Sequence, residues 1–150
     1  MWRLIKNSAA ALALSVSWVF LASGARAADE SPGARVFAGT CAVCHGADAG
    51  GIPGTFPSLR EQVQGFAKTA EGRDYLIMVV SSGLMGELKV AGVRYNNVMP
   101  AQSALSEADV AAVLSYLTKT ELSAADVKEA RQRHAANTSP TTRTLRPAEP

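Results

Sequence analysis

The stretch Cys41-Ala-Val-Cys44-His45 constrains this chain more than any other. On a helical turn, residues three and four apart come to the same side, so both sulfurs and the imidazole would be presented together. C-x-x-C-H is the attachment pattern for a c-type haem, in which two thiols bond the porphyrin vinyl groups and the next imidazole ligates iron. Two other chemistries use a Cys pair. Structural zinc needs four ligands, whereas the chain has two cysteines in all and only one further histidine, His134. A thioredoxin-like redox pair expects a βαβ setting, and this motif instead follows a short helical pattern and enters a Gly/Pro loop.

Residues Met1 to Ala27 read as a signal peptide for export. Arg3 and Lys6 precede a largely apolar run from Ala9 to Ala22, and Ala25-Arg26-Ala27 is a small-residue cleavage site. The run is short for a membrane span, and retention as an anchor is the alternative to cleavage. Cleavage leaves 123 of the 150 residues, enough for one domain with a modest core. It also removes Arg3, Lys6 and Arg26, so twelve basic residues face thirteen acidic ones and the net charge of +2 becomes −1. No concentrated basic face suggests a nucleic-acid partner. No membrane span is expected after cleavage.

Along the remaining chain, Ser31-Pro32 is a helix start, with serine as cap and proline where its missing N–H is harmless. The helix is expected to run through Gly33 and Phe37 toward Cys41. A turn-rich loop follows, from Gly46 to Leu59, in which Asp48 reads as a solvated turn residue. Pro57 is either a rigid bend or a carbonyl acceptor for the free N–H of a ligating imidazole. A helix around Gly72 to Ser82 should close at Gly83 in a left-handed cap. Glu87 to Val90 and Val93 to Tyr95, joined by Ala91-Gly92, form a small β-hairpin that must lean on the domain.

Next comes Met99-Pro100. A thioether suits iron on the face opposite histidine, and proline holds Met99 extended. Met78, within a helix, and Met85, between turn residues, are its rivals. Ser106-Glu-Ala-Asp109 is a capping box opening a helix with Val110, Val113, Leu114 and Leu117 on one stripe, for which the Gly33/Phe37 helix is the natural partner. An extra helix is expected within 121–136, with His134 solvated on it. The tail 137–150 has the composition of a disordered segment.

Jointly these residues resemble class I c-type cytochromes, more narrowly the small bacterial monohaem kind. The motifs are Gly33-x-x-x-Phe37, Cys41-Ala-Val-Cys44-His45-Gly46, Gly54-Thr-Phe-Pro57-Ser-Leu59, Tyr95-Asn-Asn-Val-Met99-Pro100 and the capped helix from Ser106, within a domain spanning 28–120. The resemblance implies an all-α cytochrome c fold, with helices wrapped around one covalent haem c and the hairpin preceding the methionine ligand. It makes Cys41 and Cys44 the thioether anchors, His45 and Met99 the iron ligands and Pro57 the acceptor of the His45 N–H. It also crosses Gly33 and Phe37 with the later helix near Val113 and Tyr116. Ser58 departs from the narrower group, where a second proline is common, and should loosen the loop slightly.

An iron ligated by protein on both faces has no open site for substrate, so electron transfer is expected rather than catalysis. The favoured reading is a periplasmic one-electron carrier between redox partner proteins, a dehydrogenase or a membrane oxidase or reductase. A dedicated cytochrome subunit of a periplasmic dehydrogenase is the alternative, with the C-terminal extension as its handle. A haem enzyme or gas sensor with a labile Met99 comes third.

Overall fold

The computed structural model describes residues 31–136 together with 146 and 147. The signal peptide expected over 1–27, and all but those two residues of the expected tail, lie outside the described residues.

Ser31 opens α1 (Pro32–Val36) as a cap, its hydroxyl accepting the Ala34 N–H at 3.2 Å, with Pro32 in the first turn. The helix does not run uniformly to Cys41. Phe37–Cys41 widen into a π-helical turn, in which the Ala42 N–H donates to the Phe37 carbonyl five residues back, before α2 (Ala42–His45) resumes normal winding. One extra residue rotates everything beyond it by about 100°, because an α-helix advances 3.6 residues per turn. The C-x-x-C-H motif is thereby released from the direction set by Gly33 and Phe37.

Those two residues face α5 (Glu107–Thr118), which begins in the expected capping box: the Ser106 hydroxyl accepts the Asp109 N–H at 3.1 Å, and the Asp109 carboxylate accepts the Ser106 N–H at 3.2 Å. A Cβ on Gly33 would stand 2.2 Å from the Ala112 carbonyl oxygen and 2.7 Å from the Tyr116 Cβ, so only glycine permits this approach. The Phe37 and Tyr116 rings meet at 5.8 Å. The crossing is centred on Ala112 and Tyr116, one residue from the expected Val113, which is itself buried.

Two helices lie between these ends. The helix α3 (Glu61–Phe66) escapes a reading by periodicity, since its six residues carry only Val63 and Phe66 as apolar anchors. The helix α4 (Ala70–Ser82) is capped by Thr69, whose hydroxyl accepts the Gly72 N–H at 3.0 Å. Gly83 ends it at φ +81° but ψ −173°, an extended exit and not the left-handed helical cap expected from sequence. The hairpin pairs β1 (Leu88–Val90) with β2 (Val93–Tyr95) in antiparallel register, Leu88 opposite Tyr95. Val90 and Tyr95 are buried and anchor it, and Arg146 donates to the Lys89 carbonyl while lying 5.4 Å above the Phe66 ring. Among the described residues this hairpin is the only sheet, and the fold is otherwise helical.

The last helix, α6 (Ala124–Arg133), has its own capping box at Ser123 and Asp126. Val127 and Ala130 are both 0% exposed, in one core with Phe66, Leu76, Val110 and Leu114. Polar ties flank this contact. Arg131 donates to Ser81 Oγ and pairs with Glu107, both at 3.0 Å, and Arg133 grips Asp74 through two bonds of 2.7 and 3.0 Å. His134, expected to be solvated, is half-buried with Nε2 3.1 Å from Asp74. Helix α6 is thus a wall of the domain.

Candidate functional site

His45 ends α2 and is 7% exposed. Its Nδ1 lies 2.8 Å from the Pro57 carbonyl oxygen. A carbonyl can only accept, so Nδ1 carries the proton and Nε2 keeps its lone pair. Burial pushes the imidazole below its ordinary pKa, and the bond to Pro57 offsets this only in part. The ring is therefore neutral and oriented at neutral pH, the state a metal-ligating histidine requires.

The 46–60 loop brings that carbonyl into place. The Gly51 N–H donates to the His45 carbonyl at 2.8 Å, and a Cβ on Gly51 would lie 2.7 Å from the Pro57 oxygen, so glycine lets the two strands of the loop close behind the imidazole. Ile52 and Phe56 exchange both backbone bonds, and the Leu59 N–H reaches the Ala49 carbonyl at 2.9 Å. The Phe56 ring stands 6.5 Å from the imidazole.

Met99 arrives from the hairpin. Its backbone exchanges two hydrogen bonds with Leu84, 2.8 and 2.9 Å, and its side chain is partly buried against the core. The Asn97 side-chain amide donates to the Thr55 carbonyl at 3.0 Å, which ties the Met99 segment to the loop carrying Phe56 and Pro57. Of the rival methionines, Met78 is buried on the face of α4 that meets α6, beside Arg131 and His134, and Met85 is exposed.

Cys41 and Cys44 are free thiols. Burial, and secondarily the neighbouring Cys44, raise the Cys41 pKa. A reactive redox pair needs the opposite shift, toward thiolate, and among the described residues there is no βαβ unit. Nor, among them, do three His, Cys, Asp or Glu side chains gather as a bare metal site would require. The Cytochrome c family model matches residues 30–121. The chain belongs to the cytochrome c family. Two proteins named cytochrome c-552, both from Thermus thermophilus, are 40% identical to it. One aligns over 98 residues, 65% of this chain, and the other over 88, or 59%. The chain covers 66% of the length of each relative.

The cytochrome c family binds covalently attached haem c, and the donor set here fits it. Two thiols on one turn suit two vinyl groups, and a neutral imidazole with a free Nε2 and a soft thioether suit iron. Sequence reasoning missed the ties across the loop. Asp48, read as a solvated turn residue, accepts the Gly50 N–H at 3.0 Å and pairs with the Arg60 guanidinium, whose Nε also donates to the Asp48 carbonyl at 3.1 Å. Ser58, expected to loosen the loop slightly for want of a second proline, makes ties of its own: its hydroxyl donates to the Ala49 carbonyl and accepts the Arg60 N–H, both at 3.3 Å. Charge and hydroxyl at positions 48, 58 and 60 were the available signals, but their pairing spans up to twelve residues of irregular chain.

Proposed function

We propose that this chain is an exported one-electron carrier with a single haem c, anchored by Cys41 and Cys44 and ligated by His45 and Met99. The observation that carries the reading is the bond from His45 Nδ1 to the Pro57 carbonyl, which commits one ring nitrogen and leaves the other as a donor. When bound, haem c supplies reversible one-electron chemistry at iron. The residues do the rest. Pro57 fixes the imidazole tautomer and raises its basicity, Leu84 holds the Met99 backbone in register, and the buried α1/α5 crossing keeps the motif on a rigid base.

Export rests on the Met1 to Ala27 signal peptide reading, which leads to the periplasm. No helix among the described residues is long and apolar enough to cross a membrane. The shuttle is favoured over a bound dehydrogenase subunit because α6, the proposed handle, spends Val127 and Ala130 on the interior of its own domain. Val43, Ile52 and Val98 are exposed beside the thiols, the loop and Met99, and residues 28–120 hold seven basic against nine acidic residues. Encounter with redox partners should therefore be governed by apolar contact and depend weakly on salt.

The deciding experiment is the visible spectrum of the matured protein, oxidised and reduced. Sharp low-spin bands with the long-wavelength Met-to-ferric-iron band are expected, the latter lost in Met99→Ala. A high-spin spectrum, or ready CO binding by the reduced form, would favour the enzyme or sensor reading. Stable co-purification with a dehydrogenase would favour the subunit.

A further inference from the structure

We infer that Ser58 and Arg60 are positioning residues for His45, acting through the Pro57 carbonyl. This rests on the reading of His45 as the iron ligand. The carbonyl oxygen of Pro57 lies in the same rigid peptide plane as the nitrogen of Ser58, so whatever fixes Ser58 aims the acceptor. Two ties fix it against the far side of the loop, and a third, local one orients its hydroxyl. The Ser58 hydroxyl donates to the Ala49 carbonyl at 3.3 Å, the next residue's N–H reaches the same oxygen at 2.9 Å, and the Arg60 N–H donates to the Ser58 hydroxyl at 3.3 Å. The Arg60 side chain then closes the frame, with Nε on the Asp48 carbonyl at 3.1 Å and the guanidinium paired to the Asp48 carboxylate. Directly behind, the Gly51 N–H holds the His45 carbonyl at 2.8 Å, so ligand and acceptor hang from one frame.

The energetic weight of these ties does not explain their arrangement. The Arg60 and Asp48 side chains are 54% and 72% exposed, and an exposed ion pair contributes little to folding. Their effect is directional. An acceptor well aligned on Nδ1–H raises the basicity of a ligating imidazole, which favours the oxidised iron. Slackening the frame lengthens that bond, lowers the basicity and raises the reduction potential. Ser58 and Arg60 therefore set the potential while barely affecting stability.

The test uses the matured full chain as wild type, Ser58→Ala, Ser58→Thr, Arg60→Ala and the Ser58→Ala/Arg60→Ala double variant. Three quantities are read: proton exchange at His45 Nδ1 by NMR, the redox equilibrium against a reference dye, and the thermal midpoint. In Ser58→Ala the exchange should quicken about tenfold and the equilibrium move about two- to fivefold toward the reduced form, with a larger shift in the double variant. Ser58→Thr, which keeps the hydroxyl, should restore both, and the thermal midpoints should stay close to wild type. Unchanged exchange and potential in the double variant would overturn the inference, as would a shift that threonine fails to rescue. If Ser58→Ala does not mature, Arg60→Ala decides on the same readouts. Failure of the ligand reading would look different, since wild type itself would then lack the His/Met spectrum.

Discussion

The two arms that reach the candidate iron site are built on different principles. The His45 arm is a loop closed on itself: between residues 45 and 60 the chain makes backbone bonds across its own width, a side-chain bond from imidazole to Pro57, and the Ser58, Arg60 and Asp48 frame. The Met99 arm is a strand-like segment leaning on its neighbours. It is held by the two-bond bridge to Leu84, by the Gln102 N–H on the Val80 carbonyl at 2.9 Å, and by the Asn97 amide on Thr55. A self-closed loop keeps its shape when the surroundings loosen, whereas a leaning segment fails with whatever it leans on. The thioether should therefore be the labile partner and the imidazole the permanent one.

The largest expected effect comes from removing the proposed ligands themselves. His45→Ala should abolish the low-spin spectrum, while Met99→Ala should keep covalent haem, lose the Met-to-iron band and lower the potential. Equal loss of haem in both variants, measured by pyridine haemochrome, would erase the asymmetry. A smaller effect tests the base shared by both arms. Gly33→Val puts a side chain into the Ala112 carbonyl and should destabilise the fold by about 1–3 kcal/mol, in a denaturant titration that loses both ligands together. Loss of the methionine band well before helical circular dichroism in this variant would show that the arms do not share that base.

Smaller still is the effect of Asn97→Ala. The bond to Thr55 is exposed and worth about 0.5 kcal/mol, so added imidazole should displace Met99 about twofold more readily, with potential and melting otherwise preserved. An effect beyond tenfold would mean that this single amide carries the arm. The last prediction concerns acid and should spare both arms. The Arg133 guanidinium, with His134 adding to it and burial opposing, holds the Asp74 carboxyl below its ordinary 3.8. A lowered folded-state value means that this contribution is complete above pH 3.8 and is lost as pH falls toward the folded value. Asp74→Asn should flatten the decline of the thermal midpoint as pH falls below 3.8, relative to wild type, and leave the Met band at pH 7 unchanged.

What could be read from the sequence was local. The capping box at Ser106 and the serine cap at 31 declare themselves within four residues, and the hairpin within nine. The C-x-x-C-H spacing is likewise complete in five residues. What could not be read joins distant or aperiodic chain. His134 meets Asp74 across sixty residues, Arg131 meets Ser81 across fifty, and Ser58 meets Ala49 across a loop with no period. The π-helical turn at 37–41 was also hidden, because an insertion within a helix leaves the residue types on either side unchanged and alters only their phase.

The match to the cytochrome c family stops at residue 121, yet the interior continues to Ala130. The unit recognised by ancestry and the buried core thus end in different places. A chain cut at the ancestral boundary would keep every residue of the proposed haem site but uncover the floor on which Leu76, Val110 and Leu114 rest. Such a fragment should melt broadly and bind hydrophobic dyes, so that the limits of inheritance and the limits of cooperativity could be separated in one pair of melting curves.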